Sequence, residues 1–111
     1  MSEFTEIGKI LAVLVAEQDS YTYVDKIGYA PSRDLAIFYL KEAIRDFHSL
    51  LRRGEFENKS AKKEAEKINY NRVEYEIRKM SNISDRKELR EKLSLIAALA
   101  LTISARLKGE V

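Results

Sequence analysis

Hydrophobic residues recur every three to four positions along most of the chain, and no convincing run alternates with a period of two. This spacing is typical of amphipathic α-helices, each of which buries one stripe of side chains. The few positions that break helices, among them the only proline, Pro31, and Gly54, divide the pattern into segments. The sequence therefore predicts an all-α fold, a compact bundle of about five helices. Their predicted ranges are 4–18, 21–29, 33–53, 60–80 and 85–108.

The first predicted helix is apolar on nearly every side between Ile7 and Ala16, which is the pattern of a central helix. Residues at other helix ends have the chemistry of caps. Ser20 and Ser32 stand where they can cap the second and third helices, and Gly54 stands where the third must end. The segment around Pro31 is thus predicted to be a corner between helices.

Tyrosines crowd the second predicted helix. Tyr21 shares helical spacing with Val24 and Ile27, so we expect most of these rings to pack in the core. Direct contact of Tyr23 or Tyr29 with a ligand is the alternative that the residues leave open.

The fourth predicted helix changes its apolar face partway. Its first part has one apolar side, formed by Ala61, Ala65 and Ile68. Its second part has a nearly opposite apolar side, formed by Tyr70, Val73, Ile77 and Met80. Such a helix is expected to pack against different neighbours at its two ends.

The fifth predicted helix has a second apolar face beside its core stripe. The stripe consists of Leu89, Leu93, Ile96, Ala100, Ile103 and Leu107. The residues predicted to form a partner interface on the second face are Leu95, Ala98 and Leu101. Another helix of the same chain, a second copy or a partner protein could cover this face.

The length of 111 residues fits a single helical domain spanning 1–111. Absence of cysteine excludes disulfides and thiolate chemistry. Acidic residues precede the first apolar run, so a signal peptide is not expected, and no apolar run reaches the roughly 17 residues that span a bilayer. We therefore expect a cytoplasmic protein that does not enter membranes. Abundant Lys and Glu are also typical of heat-adapted proteins.

Catalytic chemistry has little support in the sequence. The single histidine, His48, falls on the polar flank of the third helix and is expected to be solvated. Neither a metal-ligand motif nor a glycine-rich phosphate loop is present. Glu74 and Glu76 lie two positions apart, which places them on different sides of a helix, so we interpret them as surface charge. The sequence thus predicts a protein without catalytic residues, metal or cofactor.

Positive charge is concentrated in the middle of the chain. Residues 1–51 contain five basic and eight acidic side chains, whereas residues 52–92 contain thirteen and nine. Lys59, Lys63 and Lys67 recur every four residues opposite the first apolar side of the fourth helix, next to Lys62. Cations beside exposed aromatic rings such as Phe38 favour sequence-neutral binding of a nucleic-acid strand. The predicted nucleic-acid-binding residues are Lys59, Lys62, Lys63, Lys67, Arg45, Arg52, Arg53, Arg72 and Arg78.

An apolar helix followed by "SYTYVDKIGYA" and by "DLAIFYLKEAIRDFHSLLRRG" resembles the small subunit of the archaeal type I-A CRISPR effector complex, the Cascade of thermophilic archaea. The similarity lies in residues 10–54, especially Ser20, Val24, Asp25 and Lys26; residues 55–111 share only a helical character rich in Lys and Glu. The resemblance implies a non-enzymatic subunit, present in several copies, that packs against other Cascade subunits and helps to hold opened strands.

Guide RNA and target DNA, single-stranded or in a heteroduplex, would then be its nucleic-acid partners. Two alternatives to this interpretation remain. Lys- and Glu-rich helices are also ordinary solvated faces, so the chain could be a purely structural adaptor between proteins. A small helical DNA-binding regulator is the other alternative, and it would require a helix-turn-helix with a recognition helix.

Overall fold

The computed structural model describes residues 4–109 of the chain. All regular structure in this range is helical, which confirms the predicted all-α class. The six helices of these residues are α1 (Thr5–Gln18), α2 (Tyr21–Gly28), α3 (Arg33–Arg53), α4 (Lys59–Glu66), α5 (Tyr70–Ser81) and α6 (Arg86–Leu107).

The prediction of one helix over residues 60–80 is wrong, because α4 ends before Asn69 and α5 starts after it. The side-chain oxygen of Asn69 accepts a hydrogen bond from the Arg72 backbone N–H at 3.2 Å, so Asn69 caps a new helix. Ile68, just before the cap, is buried. Because the chain breaks at Asn69, α4 and α5 can each turn their own apolar side to the core. This break explains why the apolar face changes partway through the predicted helix.

Helix α1 is the central helix, as its apolar circumference predicted. Every residue from Ile10 to Val15 is buried, and α1 packs against α3, α4, α5 and, most extensively, α6. The close contact between α1 and α6 depends on Gly8, since a Cβ atom at this position would lie 2.7 Å from Leu99 Cδ2.

Local capping chemistry sets most helix ends. The Ser32 hydroxyl accepts from the Leu35 N–H at 3.2 Å, and Gly54 ends α3 with a left-handed φ of 66°. The cap at Ser32 and the helix end at Gly54 both confirm the predictions from the sequence. Asp85 likewise caps α6. Ser20 precedes α2 as expected, but its side chain makes no capping hydrogen bond.

The packing role expected for Tyr21 is wrong. Val24 and Ile27 are buried, whereas Tyr21 is exposed and lies beneath Lys108, whose Nζ is 5.0 Å from the ring centroid. The tyrosine ring thus covers the C-terminal end of α6 rather than filling the core.

Carboxylates of one helix cap the starts of others. Glu76, interpreted above as surface charge, is fully buried, and its two oxygens accept from the N–H groups of Glu6 at 3.3 Å and Ile7 at 3.0 Å. The Glu6 carboxylate in turn accepts from the Asn69 N–H at 2.9 Å. The starts of α1 and α5 are therefore held by acids that each helix supplies to the other.

No helix within residues 4–109 has both the length and the apolar character needed to cross a bilayer.

Candidate nucleic-acid interface

Four exposed lysines lie on the outer surface of α4 and its C-terminal cap residue, and we call them the α4 lysine row: Lys59, Lys62, Lys63 and Lys67. The opposite side of α4 is buried through Ala61 and Ala65 against α1. Within residues 4–109 none of the four lysines forms an ion pair. Their ammonium groups are thus exposed and free of ion pairs within these residues, and Glu64 and Glu66 are the carboxylates of the same helix.

The start of α4 is firmly anchored. The Asn58 side chain accepts from the Ala61 N–H at 3.0 Å and donates to the Leu107 carbonyl oxygen at 3.2 Å. The Glu17 carboxylate of α1 accepts from the N–H groups of Glu57 at 2.6 Å and Asn58 at 2.9 Å. A helix held at its first turn by two neighbouring helices presents the α4 lysine row in a fixed geometry.

Helix α5 adds an aromatic ring between two cations on its outer surface. The Arg72 guanidinium carbon lies 4.8 Å from the Tyr75 ring centroid, and Lys79 Nζ lies 5.6 Å from it. Tyr75 is 44% exposed. Sequence reasoning missed Tyr75 and Lys79, although their spacing of three and seven from Arg72 already places them on one side of a helix. Arg78 is exposed on the same helix.

The other predicted cations are exposed but have different surroundings. Arg45 forms an ion pair with Glu42 at 3.5 Å, and Arg52 lies 3.4 Å from the Ser49 hydroxyl. Arg53 borders an acidic hollow of about 270 Å³, which is also lined by Glu17, Glu55 and Glu57. The structure therefore groups the α4 lysines, while it sets Arg53 in a negative neighbourhood.

A groove of about 340 Å³ lies between α3 and α5. The His48 ring stacks on Tyr70, with centroids 5.1 Å apart and planes inclined by 18°. His48 is exposed, as predicted, and burial raises the pKa of Tyr70. Lys41 and Glu74 both line the groove, so the groove has no single sign of charge.

The tyrosines proposed as ligand contacts differ in their settings. The Tyr23 hydroxyl donates to the Asp46 carboxylate, which ties α2 to α3. Burial, followed by the hydrogen bond and charge of Asp46, raises the pKa of Tyr23 to about 12. Tyr29 is 80% exposed and Phe38 is exposed on α3. Tyr23 therefore has a structural partner of its own, whereas Tyr29 and Phe38 are open to solvent.

The second apolar face of α6 is exposed where the sequence predicted a partner interface. Leu95 is 52% and Leu101 42% exposed, and Ala98 between them is exposed as well. The opposite side of α6, which includes Leu93 and Ile96, is buried. Within residues 4–109, no group of three or more His, Asp and Glu side chains is placed to hold a metal ion.

Comparison with known proteins gives one family relationship. The chain is 59% identical over 106 residues to an uncharacterized protein of Archaeoglobus fulgidus, and the alignment covers 96% of this chain and 91% of that relative. No protein-family model matches the chain. No solved structure matches it. The chain therefore belongs to the same family as this archaeal protein.

Proposed function

We propose that the chain is a non-catalytic subunit of a CRISPR RNA-guided DNA-surveillance complex, in which it contacts the phosphates of opened DNA or RNA strands without reading their sequence. The observation that carries the proposal is the α4 lysine row, exposed, rigidly anchored and without internal ion pairs. The class of complex is supported by the resemblance in residues 10–54, and the relative of this chain is archaeal, as the family in that resemblance is.

Phosphate contact follows from the electrostatics of the row. A lysine that already pairs with a carboxylate must give up that partner, whereas an unpaired lysine replaces only mobile counterions. Each phosphate neutralised on a single strand contributes about −0.7 to the slope of log affinity against log salt, so four contacts give a slope of about −3. A net charge of only +2 indicates that this binding is weak alone and becomes useful within an assembly.

Helix α5 supports contact with unpaired bases. Tyr75 is exposed between the cations of Arg72 and Lys79, so a base could stack on the ring by taking the place of one cation, which would then approach an adjacent phosphate. Stacking of this kind is tolerant of sequence because every base has a π face.

The test compares two triple variants that change net charge equally. Reversal of Lys59, Lys63 and Lys67 to Glu is expected to weaken binding of a fluorescent single-stranded oligonucleotide and to flatten its salt dependence by about two units. The control reverses three exposed lysines elsewhere, Lys26, Lys41 and Lys87.

The binding is measured by anisotropy, for the protein alone and for the assembled complex, at several salt concentrations. If the two triple variants lose equal affinity, only net charge matters and the α4 lysine row is not the interface. If binding to the complex is unchanged by reversal of the row, the phosphate-contact proposal is wrong.

A structural adaptor is the second candidate, because Leu95 and Leu101 are large apolar side chains left in solvent. It predicts that Leu101→Lys abolishes co-purification of partners, that the monomer stays folded, and that binding depends little on salt. A DNA-binding regulator is less well supported. A helix-turn-helix needs two helices that pack together, whereas α4 packs mainly on α1, and α5 packs on α3 and α1.

A further inference from the structure

The outward face of α6 is centred on Ala98. Successive residues of an α-helix are about 100° apart, so Ala98 lies opposite the stripe that includes Leu93, Ile96 and Ala100. That stripe is buried and Ala98 is exposed. The side chain at the centre of the face is small, so another helix could approach its backbone closely.

Residue types on this face are arranged symmetrically about Ala98. Leucines stand three positions before and three after it, at Leu95 and Leu101. Small hydroxyl residues, Ser94 and Thr102, stand four positions before and four after. The Thr102 hydroxyl donates to the Ala98 carbonyl oxygen at 2.9 Å, so its hydrogen-bonding need is met within its own helix. The order of residue types on this face is therefore nearly the same in both directions along the helix.

A face with this symmetry complements itself. In an antiparallel pair related by a two-fold axis, a residue n positions before the axis meets the residue n positions after it in the other helix. With the axis at Ala98, Leu95 of one copy packs against Leu101 of the second copy, and this contact occurs twice. Both leucines would lose the exposure that they have in the single chain.

Charges at the two ends of the face favour the antiparallel direction. Glu91 lies seven residues before Ala98 and Arg106 eight after it; both are exposed, and neither forms an ion pair within residues 4–109. Antiparallel pairing sets Glu91 of one copy at the level of Arg106 of the second copy, whereas parallel pairing sets like charges together. Arg90, which is also near this level, donates to the Gly28 carbonyl oxygen at 3.2 Å in its own chain.

We infer that α6 pairs with α6 of a second copy of this chain, antiparallel and with the two-fold axis at Ala98. The inference goes beyond the proposed function and does not depend on it. An interface of this type is closed, because each copy uses the same face once and leaves none free for a third.

The chain has no cysteine, so single cysteines can report the pairing cleanly. Disulfides form only when the two Cα atoms come within about 7 Å. The Ala98→Cys variant is therefore expected to form a linked dimer under mild oxidation. Ser60→Cys, at an exposed position of α4, serves as the matched control. Equal linking of the two variants would overturn the inference.

Direction is tested by mixing two variants. An equimolar mixture of Leu95→Cys and Leu101→Cys is expected to give mainly the mixed dimer, and each variant alone little dimer. Parallel pairing would reverse this result and would overturn the inference.

Charge reversal gives an independent measurement by sedimentation. Glu91→Arg and Arg106→Glu are each expected to raise the dimer dissociation constant several-fold, and the double reversal is expected to restore it. Leu101→Asp is expected to raise it by at least roughly tenfold, with the helical circular dichroism unchanged. A wild-type chain that stays monomeric at every concentration would assign the face to a different protein and refute the pairing.

Discussion

The buried carboxylate of Glu76 makes the sharpest prediction about stability. Both oxygens accept backbone N–H groups in the first turn of α1, and Arg72 Nε lies 3.6 Å from one of them. The Glu76→Ala substitution leaves those N–H groups without their acceptor in a place that water does not reach. It also unpairs Arg72, which is half exposed and can turn to solvent.

The size of the effect follows from these contacts. A hydrogen bond to a charged group contributes about 1.5–3 kcal/mol, and two such bonds plus a small cavity give a loss of about 3–5 kcal/mol. The Glu76→Gln substitution keeps one oxygen acceptor and the same volume, so its cost is about 1–2 kcal/mol. Glu74→Ala, two residues away and exposed, should stay within about 0.5 kcal/mol of the wild type.

Protonation of Glu76 adds a pH dependence. Burial raises the pKa of this carboxyl, while the N–H groups of Ile7 and Glu6 and the charge of Arg72 act in the opposite direction. A folded pKa above the unfolded one means that the contribution of this group is fully present below the unfolded pKa, about 4.3. It is lost as pH rises through the folded pKa. The wild type should therefore gain stability relative to Glu76→Gln as pH falls from neutrality.

Urea unfolding followed by far-ultraviolet circular dichroism measures these free energies at several pH values. Comparison of the two chains at each pH removes the contributions of other groups, including the neighbouring Glu6. A Glu76→Ala chain as stable as Glu74→Ala would refute the capping role. If the difference in unfolding free energy between wild type and Glu76→Gln stays constant or shrinks toward acid pH, the conclusion that burial raises the pKa of Glu76 would be refuted.

Two further substitutions test packing at the helix contacts. Tyr23→Phe removes the hydroxyl that donates to Asp46, and we expect a loss of about 1 kcal/mol in unfolding free energy. The tyrosine that titrates with a pKa of about 12 should also disappear from the titration curve. A curve that keeps this step would contradict the assignment. Gly8→Ala places a Cβ atom 2.7 Å from Leu99 Cδ2, so we expect a net loss of about 1 kcal/mol in urea unfolding despite better helix propensity. The loss should vanish in a Leu99→Ala background, and a stabilised Gly8→Ala chain would show that the leucine moves aside freely.

Sequence reasoning succeeded where the physical cause is local. The caps at Ser32 and Gly54 depend on atoms within a few residues, and the central place of α1 follows from its apolar circumference. The exposure of the α4 lysine row follows from helical spacing alone. Each of these features is decided within one helix, so a pattern of residues is enough to predict it.

Sequence reasoning failed where the cause lies in another part of the chain. The break at Asn69 involves no glycine or proline, and its signal was the change of apolar face, which two helices explain better than one. Burial of Glu76 depends on the start of α1, about seventy positions away in sequence. A carboxylate on an amphipathic helix is ordinarily solvated, so only the tertiary arrangement identifies this one as a cap.

The capping carboxylates of α1 hold the starts of the two helices in the basic part of the chain. Glu17 is occupied by the N–H groups before α4, and Glu6 by the N–H group of Asn69 before α5. Each acid of α1 therefore compensates the positive end of a neighbouring helix. Within residues 4–109 the α4 lysine row forms no ion pair, although Glu64 and Glu66 lie on the same helix. The Glu17 carboxylate thus holds the start of α4 through backbone N–H groups and takes no part in an ion pair with the α4 lysine row.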